Sequence, residues 1–122
     1  MPQYWVVGAM YSGRDDQSEK FIRRGYWVLG WSDAEQPSYA QLRDQINPGD
    51  RIAIKRMMGK GSSEIRITTL GVVLEVDPDD KRVYVNWLAD DLDRVVESRG
   101  CFKSIHGPFA EDDPWVRDVF RL

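Results

Sequence analysis

The sequence predicts an α+β, mainly β domain: a small barrel with two or three short helices packed on its side. Three observations lead there. Apolar and polar residues alternate with the two-residue period of strands over most of residues 51–87. Two helix-start signatures lie early in the chain, each soon followed by a stop signal. The strands are also close in sequence, which suits a mainly antiparallel sheet whose closure removes exposed edges.

Taken in order, Tyr4-Trp5-Val6-Val7-Gly8-Ala9 is a short apolar run ending in small residues and reads as a buried strand. Gly13-Arg14-Asp15-Asp16 is turn chemistry, and Asp16 with Glu19 makes a capping box. Phe21 and Ile22 supply an apolar stripe, Arg23 and Arg24 suit the negative helix end, and Gly25 suits a left-handed stop. A helix over 16–24 follows from these. Tyr26-Trp27-Val28-Leu29 is a second short strand, closed by Gly30-Trp31. Ser38 and Gln41 form another capping box, for a helix carrying Leu42 and Ile46 that Asn47-Pro48-Gly49-Asp50 halts.

From Arg51 the period is that of strands. Arg51–Met57 alternates, Gly59–Ser63 is a loop, and Ile65–Val76 is a long strand with Gly71 as a bulge or bend. Asp77-Pro78-Asp79-Asp80 turns the chain into a returning strand through Val83, Val85 and Trp87. Residues 88–108 show no clear period. Asp113-Pro114 pairs an N-cap with a first-turn proline, opening a C-terminal helix with Trp115, Val119 and Phe120 on one face.

With 122 residues, 42% hydrophobic and 30% charged, the chain fits one domain spanning 1–122, neither disordered nor membrane-spanning. No apolar run approaches the ~18–20 residues a membrane helix needs, and no basic stretch followed by an apolar one opens the chain, so a cytoplasmic location is expected. Its one cysteine, Cys101, excludes an internal disulfide and a multi-thiolate metal site. Net charge is −3, but residues 51–66 hold five Lys or Arg against Glu64 alone. Such a strip on an acidic body steers a phosphate backbone to one face or, equally well, solvates a strand pair.

Enzymatic signatures are missing. Gly59-Lys60-Gly61-Ser62-Ser63 lacks the glycine spacing and the following helix of a phosphate cradle. His106 reads as a loop residue and Cys101 as a buried, inert thiol, with no orienting carboxylate beside them. Asp15-Asp16 and Asp79-Asp80 lie in turns, where acids usually cap. No catalytic residue, metal or cofactor is expected. Aromatic residues say more: five Trp and five Tyr are many for this length. Trp5, Trp87 and Trp115 sit in regular apolar patterns and read as core. Trp27 and Trp31, beside glycines and a polar loop, fit either a core or a pocket wall that stacks on a nucleobase.

The ordered series Tyr4-Trp5-Val6-Val7-Gly8, Asp15-Asp16-Gln17, Phe21-Ile22, Gly25-Tyr26-Trp27 and Pro48-Gly49-Asp50-Arg51-Ile52-Ala53-Ile54-Lys55 resembles the EVE domains of the PUA-like superfamily. It is most similar to those at the N-terminus of McrB-type restriction ATPases. Leu70-Gly71-Val72-Val73 and Val83-Tyr84-Val85-Asn86-Trp87 extend the likeness over most of the chain. The resemblance implies a PUA-like barrel that binds nucleic acid and takes a modified base into an aromatic pocket. EVE domains are in turn similar to the YTH readers of N6-methyladenine, in which the tryptophan after the first helix forms a cage wall; Trp27 matches it. Those readers draw further cage aromatics from a loop that is here the tight Asp77–Asp80 turn, leaving Trp31 or Tyr11 as the second wall.

Contact with one methyl group discriminates by only ~1–3 kcal/mol, so selectivity needs a flipped base whose edge is also hydrogen-bonded. Asp16 or Asn86 is the candidate for that edge. Lys55, Arg56, Lys60 and Arg66 are the candidates for flanking phosphates, which position without specifying. The expected partner is nucleic acid, DNA before RNA, with a restriction ATPase or nuclease supplying any cleavage. Two other classes stay open. One is a small amidohydrolase of the related ASCH group, acting on a modified nucleoside through Lys55 and Glu75; the other is an interaction module using the acidic face.

Overall fold

One strand, β5 (Arg51–Met57), is covered on both faces: Ile52, Ala53, Ile54 and Lys55 are all buried. A strand so enclosed sits at the centre of its sheet. The computed structural model describes residues 1–122 and orders the main sheet β4-β7-β6-β5-β1-β9, with β8 also on β6. These strands are β1 (Tyr4–Gly8), β4 (Tyr26–Trp27), β6 (Glu64–Val76), β7 (Val83–Ala89), β8 (Arg94–Glu97) and β9 (Ile105–Phe109). A separate hairpin joins β2 (Met10–Tyr11) to β3 (Asp15–Asp16). Three short helices complete a small α+β domain whose sheet curls into a half-barrel: α1 (Ser18–Arg24), α2 (Pro37–Arg43) and α3 (Pro114–Phe120).

The curl comes from β6. Its first part pairs with β8 and its second with β7, and the register slips at Leu70/Gly71 and again at Val73/Glu75. Gly71 is required at the first slip, because a Cβ there would meet Val85 Cγ1 at 2.4 Å and Trp87 Cε3 at 2.8 Å. β1 pairs in parallel with β5, the crossover running through α1, β4 and α2, while the other pairings are antiparallel.

Each face of the sheet has its own core. Trp5, Val7, Phe21, Tyr26, Trp27, Ile52, Ile54 and Val83 pack on one side. Val6, Ala53, Ile65, Ile67, Leu70, Cys101 and Val119 pack on the other, beneath α3. Each fully buried large side chain contributes ~1.5–3 kcal/mol. Asp50 closes the turn before β5 by accepting from Gln3 N–H and Trp5 Nε1–H, both at 3.0 Å, and from Asn47 N–H at 2.9 Å.

The helices differ from expectation at their starts. Gln17 and Gln36 are the N-caps of α1 and α2, and neither makes a side-chain cap bond. Asp16 instead accepts from Ser18 N–H two residues on, at 3.0 Å. Ile46 lies beyond the end of α2, yet is buried in the same core as Trp5 and Trp27. Two other signals hold: Gly25 stops α1 with φ +77°, and Asp113 caps α3 by accepting from Trp115 N–H at 2.9 Å. His106 is a strand residue of β9, paired with Val6, and not part of a loop. No helix is long and apolar enough to cross a membrane.

Candidate functional site

β1 and β5 run side by side, so Gly8 lies opposite Lys55 at one end of the sheet. The β2–β3 hairpin, Trp31 and the segment 102–104 come together around that end. They leave a pocket of about 430 Å³, bounded by Ile54 and Lys55 and by Trp31, Met10, Met57 and Phe102. Those last four side chains are between 39% and 50% exposed, an apolar surface that a folded chain normally covers. Ile54, Lys55, Arg56 and Met57 all reach the pocket, although neighbours on a regular strand face opposite ways. The β5–β6 register slips between Ile54 and Lys55, and such a bulge re-aims side chains.

Trp31 is held from several sides. Its Nε1–H donates to Ser104 Oγ at 3.1 Å. One residue on, Ser32 N–H donates to the Glu35 carboxylate at 2.9 Å and Ser32 Oγ accepts from Glu35 N–H at 3.1 Å, a reciprocal pair that lowers the Glu35 pKa. Arg43, buried in α2, donates to both Asp33 carboxylate oxygens at 3.0 and 3.2 Å and holds that carboxyl below its ordinary range. The indole therefore sits on a clamped segment.

Lys55 is 6% exposed. Its one polar contact is Met57 Sδ, at 3.8 Å, a weak acceptor. Burial holds its pKa below the ordinary lysine value. Cys101 and His106 respond to the same apolar surroundings: burial pushes the thiol up to about 11 and, with Lys55 nearby, the imidazole down to about 4. Lys103 N–H donates to His106 Nε2 at 2.9 Å. A thiol so hard to ionise is a poor nucleophile. No three His, Cys, Asp or Glu side chains group closely enough to hold a metal ion.

The sequence candidates divide accordingly. Trp27 is corrected: it is 0% exposed, a core residue whose Nε1–H donates to Gly8 O at 2.9 Å. Pairing of β4 with β7 turns its ring inward, behind the pocket rather than into it. Tyr11 packs against Gly30 and donates its hydroxyl to Val28 O at 2.9 Å, beside Trp31 but outside the pocket. Asp16 is at the pocket edge, engaged with Arg56 and Ser18. Asn86 is exposed in mid-β7, opposite Val72 and away from the pocket. Glu75 pairs with Tyr84 far along β6, whereas Lys55 pairs with Ile67, so the two cannot act as an acid–base pair.

The basic strip is also changed by folding. Arg56 is paired with Asp16, and Arg66 with Asp93 at 2.8 Å. Both line a polar groove of about 800 Å³ that adjoins the pocket at Asp16, Ser18 and Arg56 and also contains Arg23, Asp90 and Asp91. Lys60 is exposed in the β5–β6 loop. Met10, Met57, Phe102 and Lys103 line the pocket without having been singled out from the sequence, since two lie in the unassigned stretch 88–108. No family model matches the chain, and no curated protein is found to be similar to it.

Proposed function

We propose that this domain is a non-catalytic nucleic-acid reader with the PUA-like barrel of EVE domains, and that it takes an extruded, modified base into the pocket beside Trp31. The observation that supports this most is the pairing of a half-exposed indole with a buried cation in one concavity of about 430 Å³. A flipped base needs a flat apolar surface to stack on and a polar group to meet its edge. Trp31 offers the first and Lys55 the second, so Trp31 takes the role that sequence resemblance gave to Trp27. Lys103 at the pocket rim and Lys60 in the adjoining loop suit the flanking phosphates. Arg56 and Arg66 join them only by exchanging a carboxylate for a phosphate.

DNA in a modification-dependent restriction or defence system, in the cytoplasm, is the proposed setting. Cleavage would come from a partner ATPase or nuclease, since no carboxylate in the pocket is free to act as acid or base: Asp16 is committed to Arg56. The test is fluorescence anisotropy with short oligonucleotides bearing methyladenine, methylcytosine, hydroxymethylcytosine or glucosylated cytosine. One of them should bind best, the affinity should fall steeply with salt, and Trp31→Ala should remove ~1–3 kcal/mol of binding and the preference for the modified base. Equal weakening of modified and plain oligonucleotides in that variant, or no binding to any of them at low salt, would sink the reading.

A further inference from the structure

Five polar or charged residues are buried: Arg43, Asp50, Lys55, Thr69 and Ser98. Four of them are satisfied within the fold. Arg43 has Asp33 and Asp44, Asp50 has three N–H donors, Thr69 donates to Asp90 at 3.1 Å, and Ser98 Oγ accepts from Gly100 N–H. Lys55 alone has nothing better than a thioether. It is also the one of the five that lines the pocket. A cation withdrawn from water without an oxygen acceptor is costly, and anything that brings an acceptor relieves that cost.

An ammonium has three donors and no acceptor, so it discriminates between base edges. Guanine, thymine and cytosine offer exocyclic carbonyls; adenine shares the ring acceptor N7 with guanine, but its exocyclic group is an amine, itself a donor that cannot receive from an ammonium. Resting on the reading of the pocket as a base site, we infer that its occupant is an oxo-base, which directs an exocyclic carbonyl oxygen at Lys55 Nζ, and that bases of the adenine type bind more weakly. Lys55 is then the residue that separates oxo-bases from adenine-type bases, while Trp31 stacks on the base and carries the preference for its modification.

The test compares single-stranded oligonucleotides differing only in one central base, hypoxanthine or unsubstituted purine, so that the 6-oxo group is what changes. Wild type should bind the hypoxanthine strand about tenfold tighter, equivalent to ~1.4 kcal/mol. Lys55→Met should bind both strands alike, at the weaker value. A second readout needs neither strand nor variant: reductive methylation of Lys55 in the wild-type protein, followed by peptide mass, with inosine or purine riboside present. Inosine should protect and purine riboside should not. Tight binding of both strands without discrimination overturns the inference and leaves the reader intact. Protection by inosine without any oligonucleotide binding does the reverse. If neither binding nor protection is found, both fall.

Discussion

Arg43 and Lys55 are about equally buried, at 4% and 6% exposure, and their surroundings differ in kind. Arg43 donates from the last turn of α2 to Asp33 and Asp44. Lys55 faces a pocket with a thioether for company. The two tryptophans near Gly8 repeat the contrast. Trp27 is sealed behind the strand, with its N–H on the Gly8 carbonyl, whereas Trp31 is 39% exposed in front of it. In one region the fold completes its own bonding; in the other it stops short, and the unfinished bonding is what a ligand would complete.

Replacing the sealed tryptophan should show the contrast at its largest. Trp27→Ala should cost ~3–5 kcal/mol of stability, whereas Trp31→Ala, losing a part-exposed ring and one hydrogen bond, should cost only ~1 kcal/mol. Urea denaturation of the two variants checks this, and similar losses would erase the distinction between core and pocket. Next in size, Arg43→Met should destabilise by ~1.5–3 kcal/mol through loss of its charged hydrogen bonds, and should loosen the segment carrying Trp31, read as faster amide exchange at residues 31–36.

A smaller effect comes from His106. Its folded pKa of about 4 lies below the ordinary 6.5, so between those values the unfolded chain binds a proton that the folded chain refuses. This contribution to stability is fully present above about pH 6.5 and is lost as pH falls toward 4. Subtracting the urea-midpoint profile of His106→Gln from that of wild type should expose it, and parallel profiles would refute it. The smallest effect carries the most telling sign. Lys55→Met should stabilise the domain by ~1 kcal/mol, because it removes a buried charge that the fold never paired. Loss of stability there would mean that Lys55 belongs with Arg43.

Much of the β framework was legible in the sequence. Arg51–Met57 matches β5 at both ends, β6 begins one residue earlier than expected, and the bulge falls at Gly71. The hairpin of β2 and β3 was missed because two-residue strands have no period to detect, and β8 and β9 because Gly100 and Gly107 interrupt short, irregular runs. Of the site, Trp31 and Asp16 are expected at a base pocket and do line it, whereas Lys55 and Arg56, expected at flanking phosphates, line the same pocket instead, Lys55 buried within it. Trp27 and Asn86 were named for the same place and lie elsewhere, since a strand sequence does not say which face a neighbouring strand will cover.

By itself, the sequence determined whatever depends on residues a few positions apart: the helix stop at Gly25, the cap at Asp113, the turn at 47–50 and the alternation of β5. Tertiary structure decided the rest. It laid β1 parallel to β5, neutralised Arg56 and Arg66 with Asp16 and Asp93, and chose which of two similar tryptophans to seal. The reason is reach: caps and turns are satisfied within a few residues, whereas burial and charge pairing depend on groups that only the folded chain brings together.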